Sequence, residues 1–289
     1  MSEETVEEMI ARARGLETES PEEAGRVYAK ALLAAPANLE AHNSLERLGA
    51  KERYSAWMLV NCAIDPRDDI FHFFVNEPLG KNPVREYLSD GWRTLSELLL
   101  LMDAVGQPLT TARSVLEFAA GFGRFTRHLA RAIPGRVTAS DIHPGSVEFL
   151  REQFGVEGFY SSHDPRKLEI PGQYDLVFVL SMFTHLPPAM WAPWLRKLFS
   201  AVRPGGHLVF TVHNESLAAH FSQTYDPDGT LFVTTSESRE LEGEAYGTTF
   251  ATRAWVEQEV QRALGQPVSH FREAAFWHGQ AAVVVQARR

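Results

Sequence analysis

The chain has 289 residues, with 28 Lys and Arg against 37 Asp and Glu, a formal charge of −9, 44% hydrophobic residues and 22% charged ones. That balance suits a globular chain with a large core and excludes a fibre or a disordered polymer, while the acidic field argues against nonspecific nucleic-acid binding and against attachment to anionic membranes. Cys62 is the sole cysteine, which excludes an intrachain disulfide and a cysteine-based zinc site.

The N-terminus, MSEETVEEMIARARG, is acidic and amphipathic and lacks the basic, then apolar run of a secretion signal. The longest apolar stretch, near Leu98 to Met102, is too short to span a bilayer, so a cytoplasmic protein with no membrane partner is expected. From Ser20 to Leu48 the pattern predicts two short helices, with Ser20 as N-cap, Pro21 at the first helical position and Pro36 breaking the run. The order Ala24, Tyr28, Ala31, Pro36, Ala41 and Leu45 resembles the second half of a tetratricopeptide repeat and the opening of the next. Glu8, Ala11 and Arg12 stand where a preceding helix of that repeat would carry large apolar and glycine residues. Residues 1–60 are therefore expected to form a helical appendage, either packed on the main domain or joining copies in a homo-oligomer.

Residues 61–112 are expected to connect the appendage to the main domain and to cover a substrate. Within them, 62–84 reads as an irregular connection anchored by Phe71, Phe73 and Phe74, and 84–105 as a helix with Tyr87, Leu88, Trp92, Leu95 and Leu98 on overlapping apolar faces. A regular alternation follows. Strands are predicted at 114–118, 136–140, 156–160, 174–180 and 207–213, with helices at 123–132, 145–153 and 188–201 between them. Links of that length require right-handed crossovers, hence a doubly wound α/β sheet. After a helix at 253–264, strands at 269–277 and 280–287 are joined by only His278 and Gly279, a link that suits an antiparallel hairpin. The expectation is a mostly parallel seven-stranded sheet with a terminal antiparallel strand, forming a domain over 113–289, and an inserted loop at about 215–249 that acts as a lid or binding element.

Ligands of such sheets lie at the carboxyl ends of the strands. Gly121 and Gly123 fall in the turn after the first strand, Asp141 ends the second where a carboxylate can accept ribose hydroxyls, and Asp164 follows the third, where it can accept from an adenine amino group. Ser181 to His185 follow the fourth strand and face the reacting end of a cofactor. A dinucleotide site would need a third glycine where Thr126 stands, and Glu117 before the turn would repel a pyrophosphate but pair with an ammonium group. A nicotinamide oxidoreductase is thereby disfavoured. His213 and His278 lack the companions of a metal site, and Tyr87, Trp92, Phe183, Tyr225, Tyr246 and Trp277 serve equally as core or as an aromatic pocket wall.

The run VLEFAAGFG resembles the first motif of class I S-adenosylmethionine-dependent methyltransferases, and the likeness extends through ASDIHP, YDLVFVLSMFTHLP and VRPGGHLVFT, covering 114–213. It implies that Glu117 lies near the methionyl amine, that Ala119, Gly121 and Gly123 run beside S-adenosylmethionine, and that Ile142 packs on the adenine with His163 or Asp164 at its edge. Ala119 departs from the family's first loop glycine. The activity implied is methyl transfer to an O, N or C nucleophile of a small molecule, with Ser181 near the cofactor and His185 as base or substrate-orienting contact. An Asn-Pro-Pro-Tyr-like run, expected of enzymes that methylate DNA amino groups, is absent, so a nucleic-acid substrate is not expected. A noncatalytic methyltransferase-like assembly module is the alternative.

Overall fold

The computed structural model describes residues 4–51, 53–76, 82–236, 238 and 244–288. The chain divides into two compact units, residues 1–91 and 92–289.

The first unit is helical. Helix α1 (Val6–Leu16) opens on a reciprocal capping box between Thr5 and Glu8, and α2 (Pro21–Ala34) opens with proline at N1. Ser20 stands at the α2 N-cap as predicted, although its side chain makes no capping bond. Helix α3 (Leu39–Leu48) is capped by the Asn38 side chain and ends at Gly49 in the left-handed region. Ile10, Ala13, Ala24, Tyr28, Ala31, Ala41 and Leu45 form one core between these helices. A second core gathers Cys62, Ile64, Phe71, Phe74, Val84, Tyr87 and Leu88. The connection at 62–84 is more regular than its Pro and Asp content indicates, because α4 (Ser55–Met58) is followed by α5 (Asp69–Asn76), whose first N–H groups are taken by Asp68 Oδ1. Residues 77–81 of that predicted segment lie outside the described residues. Helix α6 (Pro83–Ala104) matches the predicted span within a residue.

The second unit contains the predicted alternation. Its strands are β1 (Val115–Phe118), β2 (Val137–Asp141), β3 (Glu157–Tyr160), β4 (Tyr174–Val179) and β5 (Val202–Val212), with helices α7 (Thr126–Ala132), α8 (Ser146–Phe154) and α9 (Pro188–Ser200) as crossovers. After α10 (Glu215–His220), β6 (Thr230–Val233), β7 (Thr248–Ala251) and α11 (Arg253–Leu264), the chain closes with β8 (His270–Phe276) and β9 (Gln280–Gln286). The main sheet runs β3-β2-β1-β4-β5-β9-β8, all parallel except β9, which is antiparallel to both neighbours. The reversal arises where expected, since the short link at Trp277–Gly279 leaves no length for a crossover. Strands β4 and β9 are buried at nearly every position and read as continuous apolar runs, as a sheet covered on both faces demands.

Two expectations are corrected. Strand β5 begins at Val202, opposite Tyr174, ahead of the predicted start at 207, and Arg203 to Gly206 make an irregularity before pairing resumes at Leu176 and His207. The insertion at 215–249 is not a plain loop. It carries α10 and a two-stranded sheet in which Thr230 pairs with Ala251 across the insertion's length, a contact that local sequence pattern does not carry. Residues 237 and 239–243 of the insertion lie outside the described residues. Among the described residues no helix is long and apolar enough to cross a membrane, and no group of three or more His, Cys, Asp or Glu is placed to hold a metal ion.

Candidate active site

The turn after β1 takes three left-handed positions, Ala119 at φ 63°, Gly121 at φ 56° and Gly123 at φ 82°. Only the first carries a Cβ, so Ala119 holds about 1 kcal/mol of backbone strain that glycine would not. The two glycines serve different ends. A Cβ on Gly121 meets nothing within 4 Å, whereas one on Gly123 would lie 2.7 Å from Leu150 Cδ2 and overlap the Phe154 ring, so Gly123 is where the turn packs on α8. Gly123→Ala should therefore cost about 2–4 kcal/mol and Gly121→Ala only about 1 kcal/mol, measurable as urea midpoints.

Helix α7 starts at Thr126, three residues later than predicted, because residues 121–125 are spent on the turn. The Gly121 N–H is not offered to a ligand either. It donates to Asp141 Oδ2 at 2.6 Å, while Asp141 Oδ1 accepts from the N–H groups of Ile142 and His143 at 2.7 and 2.9 Å and from His143 Nδ1 at 2.7 Å. Burial alone would raise the Asp141 carboxyl, but the His143 ring and these N–H donors outweigh it and hold the group below the ordinary carboxylate range. His143 donates from Nδ1 and is a residue sequence inspection missed. Its signal was the position two after the acid, where both its N–H and its ring reach back to the same oxygen.

Glu117 behaves in the opposite way. It is 4% exposed, and its Oε2 has no hydrogen-bond partner. Burial pushes its carboxyl up to about 8; the nearby Thr126 hydroxyl lowers it without reaching hydrogen-bonding geometry, and the Asp141 charge raises it further.

A cavity of about 700 Å³ opens over these strand ends. Phe118, Ala119, Asp141, Ile142 and His143 form one side, joined by Ser161, Ser162 and His163 after β3. Met182, Leu186, Pro187, Met190 and Trp194 add apolar lining, and Glu244, Ala245 and Tyr246 of the insertion line it as well. The predicted Ala119, Asp141, Ile142 and His163 thus meet in one cavity. The other predicted residues do not line it. Glu117 lies on β1 one residue before the lining Phe118, Gly121 and Gly123 lie in the turn, and Asp164 is drawn to Arg166 at 2.9 Å, whose guanidinium holds the carboxyl down at about 2. Ser181, left-handed at φ 64°, accepts from Gln280 Nε2 at 2.6 Å and donates its N–H to Thr211 Oγ1 at 2.8 Å.

His185 is 3% exposed and joins the loop after β4 to the insertion. Its Nδ1 donates to the Gly247 carbonyl at 2.7 Å, its own carbonyl accepts from Gly247 N at 3.0 Å, and its ring stacks on Tyr246 at 4.7 Å and 21°. Thr249 extends the seam, donating N–H to the Thr184 carbonyl at 2.7 Å and its hydroxyl to the Leu186 carbonyl at 2.6 Å. Gly247 is required there, since a Cβ would collide with the Val233 carbonyl and lie 2.7 Å from the Phe232 ring. This seam puts Tyr246 on the cavity. Of the other aromatic candidates, Phe183 and Tyr87 are fully buried core, Trp92 is exposed and Trp277 lies under the Arg124 guanidinium at 4.4 Å.

Residues 115–206 match the methyltransferase domain family. No curated protein matches the chain. Among solved structures, the magnesium protoporphyrin IX methyltransferase of Synechocystis is 15% identical, covers 76% of this chain and 93% of its own, and superposes with a TM-score of 0.50. The CcbJ methyltransferase of Streptomyces caelestis is 19% identical over 77% of this chain and 98% of its own, also at 0.50. The chain spans 62% of the length of an O-methyltransferase family protein from Burkholderia thailandensis, at 18% identity over 75% of this chain and a TM-score of 0.47. The strand order with its single reversed strand is the fold shared with the first two. Residues 115–206 thus resemble a methyltransferase domain, and the sheet that contains them has the fold of these methyltransferase structures.

Proposed function

We propose that this enzyme methylates an O, N or C nucleophile of a small molecule, with residues 113–289 as the catalytic domain and residues 1–60 and 61–112 outside it. One observation supports the reading: Asp141, a carboxylate held ionised, lines the cavity, and on the adjacent strand Glu117, one residue before the lining Phe118, buries a carboxyl oxygen without a partner, two groups that suit a ribose and an ammonium group. Glu117 would hold the amine, Asp141 the ribose hydroxyls, Ile142 one adenine face and His163 its edge, with Ala119 and the open space at Gly121 leaving room beside the main chain. The cofactor supplies a sulfonium methyl group, which needs an aligned nucleophile more than it needs acid catalysis. The insertion's wall and the apolar side of the cavity support a small, water-excluded acceptor in preference to a nucleic acid, and the acidic chain agrees with that.

His185 is the base of this reading. The Gly247 carbonyl can only accept, so Nδ1 carries a proton, and Nε2 is the nitrogen that would serve a nucleophile. His185→Asn keeps a donor for Gly247 but removes that base. It should leave S-adenosylhomocysteine affinity within about twofold and lower kcat by about 10²–10⁴-fold, scored as S-adenosylhomocysteine released over a panel of phenols, amines and carboxylic acids. Full turnover in His185→Asn, with loss in His185→Ala, would make His185 a positioning residue for the seam. Calorimetry showing no heat with either S-adenosylmethionine or S-adenosylhomocysteine would sink the enzymatic reading in favour of an assembly module.

A further inference from the structure

Glu117 is surrounded in a way that does not suit a resident carboxylate. Its side chain is buried at the end of β1, between Ala139 of β2 and Phe178 of β4 in register, and Oε2 finds no partner. From β2 the facing charge is Asp141, of the same sign and itself tied to His143; from α7 it is the neutral Thr126 hydroxyl. The cations of the following turn and helix are directed elsewhere, Arg124 over the Trp277 ring at 4.4 Å and Arg127 Nε to the Gly123 carbonyl at 2.9 Å. Burial beside a like charge, with no donor on Oε2, favours the protonated form and pushes the carboxyl up to about 8.

We infer that Glu117 exchanges a proton for the cofactor: it is a carboxylic acid in the cofactor-free protein and gives its proton to solvent when the ammonium group of S-adenosylmethionine pairs with it. This rests on the assignment of Glu117 to the methionyl amine. The exchange balances without a covalent step, since an acid and a ligand ammonium become a carboxylate–ammonium pair and one solvent proton. Two consequences follow from linkage. Affinity rises with pH while the free acid is protonated, and a nucleoside lacking the amine binds without releasing a proton.

The test is titration calorimetry of the full chain with S-adenosylhomocysteine at pH 7 in phosphate and in Tris, whose different ionisation heats count released protons. About 0.9 proton per ligand is expected from the wild type. Close to zero is expected with 5′-methylthioadenosine, which lacks the amine, and with Glu117→Gln, whose folding is checked by thermal unfolding. The wild-type Kd should tighten by about tenfold from pH 6 to pH 7. Binding of S-adenosylhomocysteine to wild type with buffer-independent heat would overturn the inference and leave the site assignment standing, and so would equal proton release from Glu117→Gln. Absence of any binding by the wild type would overturn the assignment itself.

Discussion

Replacing Asp141 by alanine is expected to destabilise the protein by about 3–5 kcal/mol, lower its Tm by about 10 °C and weaken S-adenosylmethionine binding by about 100-fold or more. The stability loss follows from its partners. Three backbone N–H groups, of Gly121, Ile142 and His143, and the His143 ring all donate to this one carboxylate, which is 5% exposed. Each donor left unpaired in a buried place costs about 1–3 kcal/mol, and water entering from the cavity offsets part of that. The affinity loss follows from the proposed role of Asp141 as a charged acceptor for two ribose hydroxyls, at about 1.5 kcal/mol or more for each bond. Asp141→Asn keeps one acceptor oxygen and should lose about half as much stability. Scanning fluorimetry and calorimetry on the two variants read both quantities, and a stable Asp141→Ala protein with intact affinity would remove Asp141 from the site.

Titration from pH 6.5 to 8 should destabilise the cofactor-free protein, and Glu117→Gln should abolish most of that fall. In the folded protein the Glu117 carboxyl titrates at about 8, against 4.5 for an unperturbed one. The folded state therefore binds the proton more tightly than the unfolded state throughout that interval. The stabilisation is fully present below about 4.5 and is lost as pH rises through about 8, with a slope of at most about 1.4 kcal/mol per pH unit. Two groups work in the other sense at lower pH. His207, pushed down by burial, disfavours folding as pH falls through 6.5 and below, and Asp141, held down by His143 against the effect of its burial, loses its contribution as pH falls below 3.8. The interval from 6.5 to 8 isolates Glu117. Urea unfolding of wild type and Glu117→Gln at pH 6.5, 7.2 and 8 provides the comparison, and parallel slopes would mean that Glu117 is ionised in the folded protein.

Much of the architecture could be read directly from local pattern. Apolar runs at β1, β4 and β9 are buried strands because a sheet covered by helices wets neither face, and the three-residue link at Trp277–Gly279 forced the reversed strand for lack of length. The position of Asp141 at the end of β2 could be read from local pattern, and the structure puts it in the lining of the cavity. The insertion was not legible. Gly247 meets His185 through a ring bond and a backbone bond, and Thr230 meets Ala251 through a strand pairing, between residues far apart in the chain, so neither contact leaves a periodic trace. Gly123 shows the same limit in the opposite direction. Its motif points to a ligand, but its missing Cβ is required by Phe154, a neighbour thirty-one residues away whose ring position only the packed helix defines.

By itself, then, the order of residues determined the alternation of strands and helices, the glycine turn with an acid on either side of it, and the reversed final strand, because these depend on interactions between near neighbours and on chain length. The tertiary structure decided which of those residues share a cavity, that Tyr246 joins its lining, and that two carboxyls on adjacent strands are shifted in opposite directions. Those outcomes depend on burial and on the summed field of groups far apart in the chain, so Asp141 with its four donors is held down and Glu117, close by with none on Oε2, is pushed up.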